Sequence, residues 1–175
     1  MKKRLLSILL VLLTALTLLP LGALADDNNK CGENLTWELD EIGILTISGT
    51  GDMYNYSEEP APWSEYSDII TSITINYGVT SIGTSAFTGC SNVQQINIPD
   101  SVEHIDPYAF SFCKGLHTVK LPASLTLISE DLFAECANLK NIDIPDTVTE
   151  IGANAFLRCT AFILEKLPAG IKSIG

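Results

Sequence analysis

The sequence predicts a solenoid in which stacked parallel strands and short helical turns repeat along the chain. Two observations predict this fold: a phenylalanine and a cysteine recur with one 23-residue period, and aliphatic residues recur in register with them. A fixed period of this length is typical of chains built from stacked copies of one unit, because a single unit cannot bury its own apolar face. The recurring residues are Phe87, Phe110, Phe133 and Phe156, and Cys90, Cys113, Cys136 and Cys159.

Residues 1–25 have the layout of a secretory signal peptide. Residues 2–4 are basic, an apolar run covers residues 5–19, and Ala23-Leu24-Ala25 places small residues two positions apart. The apolar run is shorter than the roughly 18–20 residues that a membrane-spanning helix requires. We therefore expect cleavage after Ala25, a secreted or cell-surface location, and no membrane insertion of the processed chain.

The processed chain is strongly acidic. The full sequence has 10 Lys and Arg against 21 Asp and Glu, and residues 1–25 hold three of the basic residues and no acidic one, which leaves 7 against 21, or a net charge of −14. Phosphate backbones and anionic lipid headgroups bind to clustered Lys and Arg. The composition therefore argues against nucleic acid and anionic membrane surfaces as partners.

Residues 26–69 are predicted to form an N-terminal cap. Trp37 and Leu39 alternate with polar residues, as do Leu45 and Ile47, and Gly43 lies between the two stretches. This pattern is typical of a β-hairpin with one apolar face. A hairpin in this place would cover the edge of the first repeat, which could otherwise pair with another chain.

Residues 70–175 are predicted to contain four repeats and a partial fifth. In one repeat, Ile96 and Ile98 alternate with polar residues, which predicts a strand, and the proline that follows ends it because proline has no N–H donor. The stretch 102–105 predicts a second, short extended piece. Asp106-Pro107 then resembles the start of a helix. A short helical turn is predicted from the apolar spacing of Ala109, Phe110, Cys113 and Leu116.

Stacking is expected to place equivalent strands in parallel, about 4.8 Å apart. The fifth repeat departs from the pattern, since Glu165 occupies the column of Ile96 and the sequence stops at Gly175, where the helical turn would begin. We expect a shifted or frayed strand there, end-to-end self-association through the open end, and a longer parent protein. The side chains expected to be buried in the stack are Ile96, Ile98, Val119, Leu121, Ile142 and Ile144.

The repeat unit reads I-x-I-P-x-S-V-x-x-I in residues 96–105 and is followed by Ala109-Phe110 and Cys113. In this pattern it resembles the BspA-like leucine-rich repeat of bacterial surface proteins. Residues 31–37, 45–51 and 61–63 are similar to the N-terminal cap of such proteins. The resemblance implies a leucine-rich-repeat-like solenoid, exposure at the bacterial cell surface, and adhesion or protein binding. It implies no catalytic residues.

The cysteine column is interpreted as packing. One repeat position explains all four residues together as small, buried side chains. Secretion permits disulfides, which are the alternative, but stacked helical turns would hold adjacent Cα atoms beyond the roughly 4.4–6.8 Å that a disulfide requires. Cys31 lies outside the column and is a weak candidate for a disulfide with a partner elsewhere. A zinc site is not predicted, because the sequence lacks C-x-x-C.

No catalytic, cofactor or metal site is predicted. His104 and His117 fall at different repeat positions and stand near no nucleophile in a known catalytic spacing, so both are interpreted as exposed side chains. Asp100, Asp131 and Asp146 are interpreted as turn and cap residues.

The candidate ligand-binding surface is the outward side of the strands. Its side chains are short, mostly uncharged and able to form hydrogen bonds. The same residues could serve only to keep the sheet soluble, since no aromatic or Arg anchor interrupts the rows. The candidate residues are Gln95, Asn97, Thr118, Lys120, Asn141 and Asp143.

We expect a binding or adhesion module that recognises an extracellular protein or a glycan, with no cofactor and no enzymatic activity. Two alternatives remain: a targeting or substrate-recognition appendage of a larger secreted enzyme, and a structural spacer. Sequence beyond Gly175 would separate these functions, because a hydrolase domain favours the appendage and further repeats favour adhesion.

Overall fold

The computed structural model describes residues 29–164 and 166–175, so the predicted signal peptide lies outside the described residues. Within them the chain forms twelve short strands and a 3₁₀ helix at Ser64–Tyr66. The strands are β1 (Leu35–Leu39), β2 (Ile44–Gly49), β3 (Gly51–Asp52), β4 (Ser72–Ile75), β5 (Val79–Ile82), β6 (Gln95–Asn97), β7 (His104–Ile105), β8 (Thr118–Lys120), β9 (Leu127–Ile128), β10 (Asn141–Asp143), β11 (Glu150–Ile151) and β12 (Ser173–Ile174).

Two ladders of parallel strands run along the stack. In the first, β6, β8 and β10 pair with Ile96, Val119 and Ile142 side by side. The second ladder consists of two three-stranded sheets, β3-β5-β7 followed by β9-β11-β12. In the latter sheet Ile128, Ile151 and Ile174 lie side by side. The parallel pairing of strands from equivalent positions of successive repeats is therefore confirmed.

An antiparallel hairpin precedes the repeats. β1 and β2 pair with Trp37 opposite Ile47, and β2 then pairs in parallel with β4. Backbone from the N-terminal side covers the free edge of β1, since the Trp37 N–H donates to the Asn29 carbonyl at 2.9 Å and the Cys31 N–H donates to the Leu35 carbonyl at 3.0 Å.

The third side of each repeat is not helical, and the prediction of a helix beginning at Asp106-Pro107 is wrong. In an α-helix every N–H points along the helix's own axis. Here alternate N–H groups point to the next repeat instead: those of Tyr108, Phe110 and Phe112 donate to the carbonyls of Glu130, Leu132 and Ala134 at 3.2, 3.1 and 2.8 Å. The intervening N–H groups, such as that of Ser111, close turns within the repeat.

Two left-handed backbone positions in each repeat interrupt helical winding. In the second repeat they are Tyr108 (φ 62°) and Phe112 (φ 59°). Such a conformation costs an L-residue about 1–2 kcal/mol, so the bonds between repeats must offset that cost. The first column contains Ser85, Tyr108, Asp131 and Asn154, and the second contains Gly89, Phe112, Glu135 and Arg158.

A continuous aromatic column fills the interior. The ring centroids of Phe87 and Phe110 are 5.5 Å apart and those of Phe110 and Phe133 are 5.8 Å apart, with nearly parallel planes. Trp63 extends the column at the N-terminal end, where its indole N–H donates to the Ala86 carbonyl at 2.7 Å. At the other end Phe162 stacks on the ring of Phe156 at 4.7 Å.

The two aliphatic columns at the first ladder are buried in the second and third repeats but only half-buried in the fourth, whereas Val148 and Ile151 of the other columns stay buried there. Ile96, Ile98, Val119 and Leu121 are buried, as predicted. The prediction is wrong for Ile142 and Ile144, which are only half-buried. Of the described residues 162–164 and 166–172 none forms a strand, so β10 has no strand there to cover it. Glu165, the residue on which the expectation of a shifted or frayed strand rested, lies outside the described residues.

Truncation of one ring in the aromatic column should open a cavity. We expect Phe110→Ala to lower the free energy of unfolding by about 3–5 kcal/mol, because Phe110 is fully buried between two other rings. Urea denaturation measures this loss. Phe112→Ala is the matched control, since Phe112 lies in the same repeat but is 47% exposed. Equal losses in the two variants would contradict a stacked core column.

Gly89 provides a test of the left-handed column. Its φ is +78° and a Cβ there would meet nothing within 4 Å, so any cost of a side chain comes from the backbone alone. We expect Gly89→Val to destabilise the fold by at least about 1 kcal/mol, and Gly89→Asn to have a smaller effect because Asn tolerates this conformation. Thermal unfolding measures the stabilities of the two variants. A Val variant as stable as the Asn variant would contradict the backbone cost at this position.

Candidate binding surface

The three-stranded sheet β6-β8-β10 brings the six candidate residues together in two rows. Its strand register aligns Gln95 with Thr118 and Asn141, and Asn97 with Lys120 and Asp143. All six side chains are exposed, because the middle residue of each strand points inward and its two neighbours point outward. The arrangement is a polar patch on one face of the sheet, which we call the outer face.

Side-chain hydrogen bonds to the preceding repeat hold the sheet at both ends of its strands. Before the strands, the Asn92 amide donates to the Asp68 carbonyl at 2.6 Å, and the Asn138 amide donates to the Lys114 carbonyl at 2.8 Å. After the strands, the Thr147 hydroxyl donates to the Leu125 carbonyl at 2.7 Å. The outer face therefore lies on a backbone that is fixed at both ends.

A groove follows the edge of β10 where the first ladder stops. It has a volume of about 890 Å³ and lies between β8 and β10 on one side and residues 161–164 and 166–168 on the other. Four of the six candidate residues also line it: Thr118, Lys120, Asn141 and Asp143. The sequence contains no motif that signals this groove. Only the departure of the fifth repeat from the column pattern indicated a disturbed strand here.

The cysteine column is structural, as predicted. All five cysteines are free and buried. Three thiols donate to the phenylalanine carbonyl of the preceding repeat: Cys113 to Phe87 at 3.2 Å, Cys136 to Phe110 at 3.1 Å and Cys159 to Phe133 at 3.0 Å. Burial raises the pKa of Cys31, Cys90 and Cys136 to about 12 and that of Cys159 to about 11. Thiols with such pKa values are poor nucleophiles at neutral pH.

The remaining polar residues take structural positions. His104 is exposed on β7, as predicted, whereas His117 is half-buried beside β8, so the prediction of exposure is wrong for His117. The Asp100 carboxylate accepts a hydrogen bond from the Ala123 N–H at 2.9 Å, so it links its own turn to the turn of the next repeat.

In the ranges 29–164 and 166–175 no three His, Cys, Asp or Glu side chains are grouped to hold a metal ion. No helix among those residues is long and apolar enough to cross a membrane.

The fold and the outer face define a repeat protein built from stacked parallel strands with an exposed polar sheet. Residues 65–175 match the model of the BspA type leucine-rich repeat region, in six copies. The chain therefore belongs to the BspA-type leucine-rich repeat family.

Solved structures of bacterial leucine-rich repeat proteins are similar to this chain. A leucine-rich repeat protein from Bacteroides ovatus is 26% identical with a TM-score of 0.56, and the match covers 84% of this chain and 37% of that one. A leucine rich cell surface protein from Faecalibacterium prausnitzii is 23% identical with a TM-score of 0.51, covering 83% and 50%. The leucine rich repeat protein of T. pallidum is 23% identical with a TM-score of 0.56, covering 85% and 82%.

The match spans well under two thirds of the first two of these structures. At identities below 25% the F. prausnitzii and T. pallidum structures support the fold alone. No curated protein matches the sequence.

The buried thiols predict a loss of stability at alkaline pH. Their pKa values are raised in the folded chain from an ordinary 9.0, so unfolding releases protons above about pH 9. The contribution of these thiols to the free energy of unfolding is complete below pH 9 and is lost as pH rises towards about 12. We expect Cys136→Ala to be less stable than wild type at pH 7. Above pH 9 this difference should narrow by about 1.4 kcal/mol per pH unit, because the variant has one thiol fewer to ionise.

Urea unfolding under reducing conditions at several pH values measures this difference. Phe110→Ala serves as the control, because its deficit involves no titrating group and should stay constant over the same range. A difference between wild type and Cys136→Ala that does not change with pH would contradict a raised thiol pKa.

Proposed function

We propose that this chain is an extracellular or cell-surface module that binds another protein, or a glycan, through the outer face of β6-β8-β10. The observation that carries the proposal is the alignment of six exposed hydrogen-bonding side chains in two rows on a sheet held at both ends. Such rows can contact a partner over several repeats without rearranging the backbone, which lowers the entropic cost of binding.

Family membership supports a role at the surface. The F. prausnitzii protein of similar fold is described as a cell surface protein, and residues 1–25 of this chain have the sequence layout of a signal peptide. The family and the similar structures are described as leucine-rich repeat proteins, which supports binding rather than catalysis. In the same proposal the β1-β2 hairpin is the N-terminal cap of the stack.

The charge of the outer face favours partners with mixed polarity. Lys120 and Asp143 are neighbours in one row, whereas the other row of Gln95, Thr118 and Asn141 is uncharged. A surface of this kind recognises a partner through paired hydrogen bonds rather than through an electrostatic potential of uniform sign. Amide, hydroxyl and carboxylate groups of this kind also bind sugar hydroxyls, which is why glycans belong to the proposed partner class.

An arginine on the outer face should block a partner without unfolding the chain. We expect Asn97→Arg to weaken binding by about tenfold or more in a screen of the processed chain against matrix proteins and glycans, since the new side chain occupies the contact surface. Thr126→Arg is the matched control, because Thr126 is also exposed but lies beside β9 in the second ladder. If both variants bind like wild type, or lose binding equally, the outer face is not the binding surface.

A further inference from the structure

The two left-handed columns on the third side present the same order of side-chain types. Along each column a small residue is followed, one repeat at a time, by an aromatic ring, a carboxylate and a planar group with N–H donors. The backbone under these side chains is fixed to the next repeat, since the Phe112 and Glu135 N–H groups donate to the Ala134 and Leu157 carbonyls at 2.8 and 2.7 Å. The columns are Ser85, Tyr108, Asp131 and Asn154, and Gly89, Phe112, Glu135 and Arg158.

The two aromatic residues of these columns cost the fold more than they return. Tyr108 and Phe112 have positive φ angles of 62° and 59°, which bulky residues rarely adopt. Their side chains are 40% and 47% exposed, so they bury little apolar surface in exchange. Gly89 occupies the equivalent position of the preceding repeat, where glycine adopts a positive φ at no steric cost. Strained residues that the core does not require are typical of binding sites.

The space beside the Phe112 ring is open towards the preceding repeat. Gly89 has no side chain there, and a Cβ at Gly89 would meet nothing within 4 Å. In the other column the small side chain of Ser85 precedes Tyr108. The Asp131 carboxylate on the far side of Tyr108 raises the pKa of the Tyr108 phenol, so the hydroxyl stays protonated and able to donate. A ligand therefore has room on one side of the two rings.

Hydrogen-bonding groups follow the rings on the opposite side. Arg158 Nη1 lies 2.7 Å from Glu135 Oε1, which holds the guanidinium in place. The Arg158 side chain is 71% exposed, so its remaining N–H groups are available to a ligand. Asn154 is exposed in the neighbouring column. A carboxylate accepts hydrogen bonds, whereas guanidinium and amide N–H groups donate them. Hydroxyl groups, which both donate and accept, satisfy this combination.

The balance of charge favours a neutral ligand. Glu135 and Arg158 neutralise each other, and the positive guanidinium follows the Phe112 ring along its column, which disfavours a cation there. The processed chain has a net charge of −14, which disfavours an anion. A stable protein partner would bury about 800 Å² of this surface, whereas the exposed rings are only two and the residues before them are small. These observations favour a ligand of the size of one or two sugar rings.

We propose that the third side contains a second binding site, which takes a neutral hexose of an extracellular glycan. The C–H face of the pyranose lies on the Phe112 ring, because the face of an aromatic ring carries negative partial charge. The sugar hydroxyls donate to Glu135 and accept from Arg158 and Asn154. Tyr108 contacts the neighbouring sugar residue. This site lies outside the outer face, so it does not rest on the outer-face proposal.

The test probes an array of immobilised neutral and sialylated oligosaccharides with the labelled, processed chain. We expect neutral glycans to bind, and isothermal titration with the strongest of them measures each variant. Phe112→Ala and Arg158→Ala should each weaken binding by about tenfold or more. Arg158→Lys should recover only part of the loss, because lysine keeps the charge but not the forked donors. Leu127→Ala is the matched control, since Leu127 is 41% exposed on β9 and should leave binding unchanged. Thermal unfolding verifies that the variants fold.

Several outcomes would overturn the proposal. An array on which no neutral glycan binds is one, and Phe112→Ala binding like wild type is another. Binding of sialylated glycans alone would contradict a neutral ligand. A matrix protein that loses binding to Phe112→Ala, with no glycan bound, would assign the surface to a protein partner. Loss of the glycan in Asn97→Arg but not in Phe112→Ala would assign it to the outer face. Failure of the outer-face proposal and failure of this one are thereby distinguishable.

Discussion

Hydrogen bonding of the backbone from one repeat to the next is the constraint on which this fold depends. The strands of the repeats are short, and their third side has no helix within the described ranges, so a single repeat cannot satisfy its own N–H and C=O groups. The Ile98 N–H donates to the Lys120 carbonyl at 3.0 Å, and the Phe110 N–H donates to the Leu132 carbonyl at 3.1 Å. Each repeat is therefore stable only against a neighbour, and stability is a sum of nearest-neighbour contributions.

The same constraint explains most of the polar residues that could be mistaken for functional ones. Asn138, Thr147 and Cys136 each donate to a backbone carbonyl of the preceding repeat. These donors give carbonyls of the neighbouring repeat a partner, and a buried carbonyl without a partner, such as that of Phe110, would be costly, so these side chains serve the fold. What remains for function is the exposed part: the outer face and the exposed aromatic side chains of the third side.

The groove follows from an unequal ending of the two ladders. The second ladder continues to β12, whereas in the part of the chain that the structure describes no strand pairs with the far side of β10, and Ile142 and Ile144 are half-buried. Natural proteins usually cover or charge such edges, and here charged side chains, among them Lys120, Asp143 and Lys166, line the groove. The outer face and the groove share Lys120 and Asp143, so a partner bound to the outer face would also reach the groove.

The sequence by itself determined the period, the parallel stacking, the inward columns such as Ile96 and Val119, and the outward rows. Alternation along a strand and recurrence at a fixed interval are local properties, and they fix which side chains face inward. It could not determine the third side, where Ala109, Phe110 and Cys113 have helical spacing. There an N–H group can donate either to a carbonyl of its own turn or to a carbonyl of the next repeat, and left-handed conformations are adopted mostly by non-glycine residues. It also could not determine the groove, because whether a strand is covered depends on how the following repeat packs against it.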